Sequence, residues 1–197
     1  MNRKTSLTAL INRQGLSVYL LAAGCLLLGP WNVDALQMFS LDRSDLAAGE
    51  FWRFWTGPLV HLSWAHIGLN LAGLVLLQQM FGQELRPAIS AWGYGIIALL
   101  VGLCFMAFSR FGYVVGLSAV LHGLFAMAAC LAMRRDGLLS AGVLLVVGGK
   151  VVWEKIQGPS TLVEDLIGLP VAADTHLYGF GAGLVLGAVI VLSAARR

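Results

Sequence analysis

Six apolar stretches divide this chain, at about residues 15–31, 61–81, 88–109, 114–133, 138–153 and 175–195. Most approach the ~20 residues that a helix needs to cross a bilayer. Lipid offers no water to pair with free backbone groups, so repeated stretches of this kind leave helices as the way to satisfy every N–H and C=O internally. Composition agrees: 58% of residues are hydrophobic and 12% charged, and the mean hydropathy of +0.81 is far from that of a soluble domain. The expected fold class is all-α, a polytopic bundle of six transmembrane helices. One domain over residues 1–197 is expected, because no linker, charge block or internal repeat separates two cores.

Basic residues orient the bundle. With the N-terminus cytoplasmic, Arg3, Lys4, Arg13, Arg86, Arg134, Arg135, Arg196 and Arg197 lie inside, and Arg43, Arg53, Arg110, Lys150 and Lys155 outside. Both termini then face the cytoplasm. The acids Asp34, Asp42, Asp45, Glu50, Glu154, Glu164, Asp165 and Asp174 fall outside, a weaker indication. The net charge of +3 reads as topology rather than nucleic-acid binding. A cleaved signal sequence is the alternative for the first stretch, with Ala22, Ala23, Gly24 and Cys25 as a lipoprotein-like site. The apolar run continues through Leu26, Leu27 and Leu28, which favours retention. Cys25, Cys104 and Cys130 all lie in apolar segments and are odd in number, which argues against a disulfide framework.

Two outer loops stand out, residues 32–60 and 154–174. In the first, GEFWRFWTGP reads as an interfacial segment, with Phe51, Trp52, Phe54 and Trp55 at headgroup level and Arg53 turned to water. Simple anchoring accounts for it as well as any direct part in chemistry.

Ionisable and amide side chains inside spanning helices are functional hypotheses by default. Here they are few: His61, His66 and Asn70 at or in the second helix, Ser118 and His122 in the fourth, and His176 opening the sixth. These include all four histidines of the chain. Even-numbered helices run inward from the outer face, so His66, Ser118 and His176 share a level near that face. Asn70 and His122 each lie one turn deeper on the same helical faces. The groups can therefore converge on one cavity open to the outer side.

Serine alone is also what helix contacts in membranes use. Gly116, two residues earlier, changes the weighting, because the first turn of a helix offers free N–H groups and a positive dipole end to an anion. Gly179, Gly183 and Gly187 continue the face of His176 as a small-residue stripe, able to bring the sixth helix against the fourth. Other intramembrane chemistries lack their residues: no H-E-x-x-H run exists, His61 and His66 are off one face, and every Asp and Glu is read as lying in a loop or at a helix end. Serine chemistry remains, with no cofactor and no metal expected.

The run EFWRFWTGPLVHLSWAHIGLN resembles the Trp-Arg, histidine and asparagine pattern of rhomboid proteins, GLSA resembles their Gly-x-Ser-Gly, and THLYGFGAG resembles their histidine-glycine sixth helix. The short chain, the VLHG after the serine and the VAADTHLYG before the last helix look most like rhombosortases, a bacterial subfamily. The resemblance implies a rhomboid-like bundle and an intramembrane serine endopeptidase, with Ser118 as nucleophile, His176 as general base, and His66 and Asn70 as oxyanion donors. Gly116 and His122 are supporting. His61 matches a peripheral, structural histidine. At His122 many rhomboids carry an aromatic residue stacked on the catalytic histidine, and here the imidazole would pack or hydrogen-bond, with a role as a second base the alternative.

The resemblance further implies a substrate anchored in the membrane, with a transmembrane segment or a Gly-Gly-type C-terminal sorting tail. It places the protein in a bacterial inner membrane with the site opening to the periplasm, the lipid bilayer as its surroundings, no nucleic acid, and a monomer as the simplest assembly. Where the family has a glycine after the serine this chain has Ala119. No acid is placed by spacing to orient His176, since Asp174 at two residues' distance points elsewhere on a helix; a dyad without a third carboxylate is expected. An inactive rhomboid-like protein that binds membrane helices, or a small transporter, is the alternative to an enzyme.

Overall fold

The computed structural model describes residues 15–30 and 33–196; Arg3, Lys4, Arg13 and Arg197 of the reading above, and residues 31 and 32 of its ranges, lie outside them. Helix α1 covers Leu16–Leu27 and stops before Gly29 and Pro30. Residues 33–60 then form a folded loop of short pieces: α2 (Val33–Phe39), β1 (Leu41–Asp42), α3 (Arg43–Ala47), α4 (Arg53–Thr56) and a 3-10 turn, Gly57–Leu59. After them come α5 (Trp64–Phe81), α6 (Pro87–Phe108), β2 (Tyr113–Val114), α7 (Ser118–Ala132), α8 (Gly137–Gln157), α9 (Thr161–Ile167) and α10 (Ala173–Ala195). The molecule is the all-α membrane bundle that the apolar stretches predict. Helices α6, α8 and α10 are each long and apolar enough to cross a membrane; Arg53–Leu59 and Trp64–Phe81 qualify only as a pair bent by 101°.

Local chemistry sets the boundaries where they depart from hydropathy. Helix α5 starts at Trp64 rather than 61 because the Ser63 hydroxyl accepts from the His66 N–H at 3.1 Å, an N-cap. Residues 113 and 114 are apolar but are spent on β2, which pairs antiparallel with β1, Leu41 opposite Val114. Gly116, at φ +97°, then turns the chain so that α7 begins at Ser118 and not at 114. Helix α8 continues past residue 153 to Gln157, carried by the Lys150–Glu154 pair one turn apart, 2.7 Å.

Helix α7 is the hub, packed against α5, α6, α8 and α10. Its Ala126, Ala128, Ala129 and Ala132 are buried, and such small residues let neighbouring backbones approach. The closest approach is to α10: a β-carbon on Gly179 would overlap the Ala119 carbonyl, and one on Gly183 the Gly123 carbonyl. The stripe on the His176 face is thus the seam between α10 and α7. With 15 residues α7 is only about 22 Å long, less than the ~30 Å hydrocarbon core.

The loop of residues 33–60 is anchored by cations. Arg43 donates to the carbonyls of Met106 (2.6 Å), Phe105 (3.0 Å) and Ser109 (2.7 Å), closing the C-terminus of α6. Arg53 is not turned to water, as GEFWRFWTGP suggests, but is 3% exposed. Its guanidinium binds Glu50 (2.7 Å), Asp45 (2.8 Å) and the carbonyls of Ser40 (3.0 Å) and Gln37 (2.9 Å), because five fixed donors can tie several loop segments together. Phe51 and Trp52 are exposed, whereas Phe54 is buried against Gly102 of α6. Trp55 Nε1 donates to the Gly95 carbonyl at 3.0 Å.

Candidate active site

Ser118 Oγ lies 2.9 Å from His176 Nε2, a bond between residues 58 apart in sequence. Three local facts produce it. Gly116 turns the chain so that Ser118 is the first residue of α7; the glycine seam draws α10 in; and His176 falls in the first turn of α10, level with the start of α7. Both residues line a cavity of about 520 Å³ shared with His66, Asn70 and His122. The N–H groups of the first turn of α7 have no partner inside their helix, and the Ser118 N–H is the first of them.

Gly116 is required twice. Its φ of +97° is one that side chains rarely adopt, and a β-carbon there would meet the His66 ring, with Cε1 at 2.5 Å. His66 is therefore pressed against the turn that leads to Ser118. Its Nδ1 is buried without a hydrogen-bond partner. A buried bare acceptor is tolerated better than an orphaned N–H, so the ring proton belongs on Nε2, the nitrogen beside Gly116.

Asn70 sits one turn below His66 and is 4% exposed. Its amide nitrogen contacts the His66 carbonyl at 3.1 Å and His61 Nε2 at 3.0 Å, which occupies both amide hydrogens. His61 Nδ1 in turn lies 2.9 Å from the Leu59 carbonyl. One tautomer satisfies both contacts, with His61 donating from Nδ1 and accepting at Nε2. His61 stacks edge-on against His66, 4.8 Å between centroids. It is a brace for Asn70 and His66 and does not line the cavity.

His122 both packs and bonds. Its ring stacks on His176, with centroids 4.4 Å apart and planes at 17°. Nδ1 lies 2.7 Å from the Ser118 carbonyl and Nε2 3.1 Å from Lys150 Nζ. Nδ1 donates and Nε2 accepts, so neither nitrogen is left to take a proton from Ser118 Oγ. Ala119 also lines the cavity, and its carbonyl abuts Gly179.

The expectation that no carboxylate orients His176 is corrected. Glu154 Oε2 stands 2.8 Å from His176 Nδ1, and Glu154 Oε1 2.7 Å from Lys150 Nζ. Glu154 reads as a loop residue only if α8 ends at 153; inside a helix that runs to Gln157 it faces α10. The signal that could have found it is the Lys150–Glu154 spacing of four, which argues for continued helix. Asp174 is occupied elsewhere, 2.5 Å from Lys155 Nζ. Among the described residues no group of three His, Cys, Asp or Glu side chains is placed to hold a metal ion, and Cys25, Cys104 and Cys130 are free.

The sequence model of the Rhomboid domain family matches residues 48–193. A relative described as a rhomboid-type serine protease 2, from Emericella nidulans, is 29% identical over 166 residues. The alignment covers 78% of this chain, which spans only 29% of that relative's length.

Proposed function

The chain belongs to the rhomboid family, and from that premise we propose that it is an intramembrane serine protease with Ser118 as nucleophile and His176 as general base. The observation that carries the reading is the 2.9 Å approach of Ser118 Oγ to His176 Nε2 inside a mostly apolar cavity where His66, Asn70 and His122 also converge.

In this mechanism Ser118 Oγ attacks the scissile carbonyl while His176 Nε2 takes the hydroxyl proton. The oxyanion is met by the Ser118 backbone N–H and by His66 Nε2–H; each such donor typically contributes about 3 kcal/mol. Asn70 joins them only by releasing its bond to His61 or to the His66 carbonyl. His176 returns the proton to the leaving amine nitrogen. Water then loses a proton to His176, adds to the acyl carbonyl and frees Ser118, which recovers that proton.

The substrate proposed is a membrane-anchored protein whose transmembrane segment, or C-terminal tail of Gly-Gly type, reaches the site from within the bilayer. An apolar groove of about 420 Å³ between α5, α7 and α8, lined by Leu76, Phe125 and Val146, shares Leu121 and His122 with the catalytic cavity and supports such a path. The rhombosortase-like VLHG and VAADTHLYG runs support the sorting-tail reading, and with it a bacterial inner membrane, cytoplasmic termini and a site open to the periplasm. Labelling with a serine-directed fluorophosphonate tests the core claim. Wild-type protein should label and Ser118→Ala should not; labelling that persists in the variant rejects Ser118 as nucleophile.

A further inference from the structure

Five polar contacts form a closed circuit that leaves Ser118 by its hydroxyl and returns to it by its carbonyl. Ser118 Oγ meets His176 Nε2 at 2.9 Å, and His176 Nδ1 meets Glu154 Oε2 at 2.8 Å. Glu154 Oε1 accepts from Lys150 Nζ at 2.7 Å, Lys150 also reaches His122 Nε2 at 3.1 Å, and His122 Nδ1 donates to the Ser118 carbonyl at 2.7 Å. The circuit joins α7, α8 and α10, and it uses every nitrogen of both imidazoles.

From this geometry, and resting on the protease reading above, we propose that Glu154 is the positioning residue of the general base, making the site a Ser118–His176–Glu154 triad, with Lys150 holding the carboxylate in place. A histidine can serve Ser118 only if its Nε2 lone pair faces the hydroxyl. That requires the proton on Nδ1, and an acceptor at Nδ1 selects this tautomer. Glu154 is that acceptor. When Ser118 loses its proton the ring becomes an imidazolium, and the carboxylate at 2.8 Å is the counter-charge that makes its formation easier. Both side chains are largely shielded, 8% exposed for His176 and 11% for Glu154, so little water competes for the contact.

Lys150 is half exposed, at 47%, and its ammonium fixes the rotation of the carboxylate from the far oxygen. His122 stacks on the His176 ring with centroids 4.4 Å apart and opposes its turning away. The charged and titratable groups around His176 are therefore Glu154 and Lys150 from α8 and His122 from α7, with His66 of α5 across the cavity. Among the described residues, Glu154 is the one hydrogen-bonded to Nδ1.

The test is a double-mutant cycle on full-length protein in detergent or lipid, read by cleavage kinetics and by fluorophosphonate labelling rate. Glu154→Gln keeps size but offers Nδ1 either an amide hydrogen or an uncharged oxygen. It should lower kcat by roughly 10²–10⁴ while KM stays within about threefold. Glu154→Asp should recover part of that loss. In a His176→Ala background Glu154→Gln should cost nothing further, because its effect passes through the ring. A general structural role would lower both backgrounds by the same factor, and that result, or wild-type kcat in Glu154→Gln, overturns the triad. If Glu154→Gln unfolds, Glu154→Asp and Lys150→Gln carry the same comparison, with an expected fall in kcat in each and none over His176→Ala. Wild-type protein that neither labels nor cleaves takes the protease reading down with the triad; wild-type protein that labels while Glu154→Gln labels equally fast removes the triad alone.

Discussion

The carbonyl of Ala119 lies so close to the α-carbon of Gly179 that a β-carbon on residue 179 would overlap it. That contact decides how far α10 stands from α7, and so whether His176, three residues before Gly179, can reach Ser118. Gly179→Leu should push the helices apart, lowering stability by about 1–3 kcal/mol through overpacking and abolishing fluorophosphonate labelling. Thermal unfolding in detergent and labelling read the two effects; a variant that labels at the wild-type rate would show that the seam does not set the pair.

Gly116→Ala places a methyl group on a residue at φ +97° and drives it into the His66 ring. The strain should lower stability by about 1–3 kcal/mol. Because His66 must move, kcat should fall more than a surface substitution of equal stability cost would predict. Substrate cleavage compared with the unfolding midpoint checks this.

His66 and Asn70 should separate in two readouts. His66→Ala removes the ring beside the Gly116 turn and should lower kcat by about 10²–10³ with a small change in unfolding midpoint. Asn70→Ala strands His61 Nε2 and the His66 carbonyl, so stability should fall by about 1–3 kcal/mol along with activity. Equal behaviour of the two variants in both measurements would contradict the division of labour drawn here.

Stacking and hydrogen bonding by His122 can be told apart by His122→Phe, which keeps a flat ring against His176 and loses the bonds to Lys150 and Ser118. A fall in kcat of no more than about tenfold is expected, against loss of activity in His176→Phe. Equal loss in both would make His122 a base in its own right.

Arg53→Met removes the donor shared by Asp45, Glu50 and the carbonyls of Ser40 and Gln37. The two acids are about a third exposed and can rehydrate, so about 2 kcal/mol is expected rather than the full penalty of a buried broken pair. Limited proteolysis should show faster cleavage within residues 33–60; unchanged cleavage would mean that Arg43 and the apolar contacts of Phe54 hold the loop unaided.

Much of this architecture is legible in the chain because lipid makes the pattern coarse. A spanning helix announces itself by a long apolar run, and an ionisable group within it is conspicuous, so His66, Asn70, Ser118, His122 and His176 can be named from spacing alone. Boundaries are less legible. Residues 113 and 114 are apolar enough for helix but form a ladder with residues 41 and 42, a partner more than 70 positions away. Arg53 reads as a water-facing charge because nothing local reveals that Asp45, Glu50 and two carbonyls fold back upon it.

Hydropathy and periodicity therefore determined that this chain is a helical membrane bundle and which faces carry its few polar groups, because those properties are set by neighbours within one or two helical turns. Which groups touch was decided only by the tertiary structure. The contact between Glu154 and His176 joins two helices whose separation depends on seams packed elsewhere, and a carboxylate at the last turn of α8 looks like a loop residue until the helix that carries it is seen lying beside the histidine.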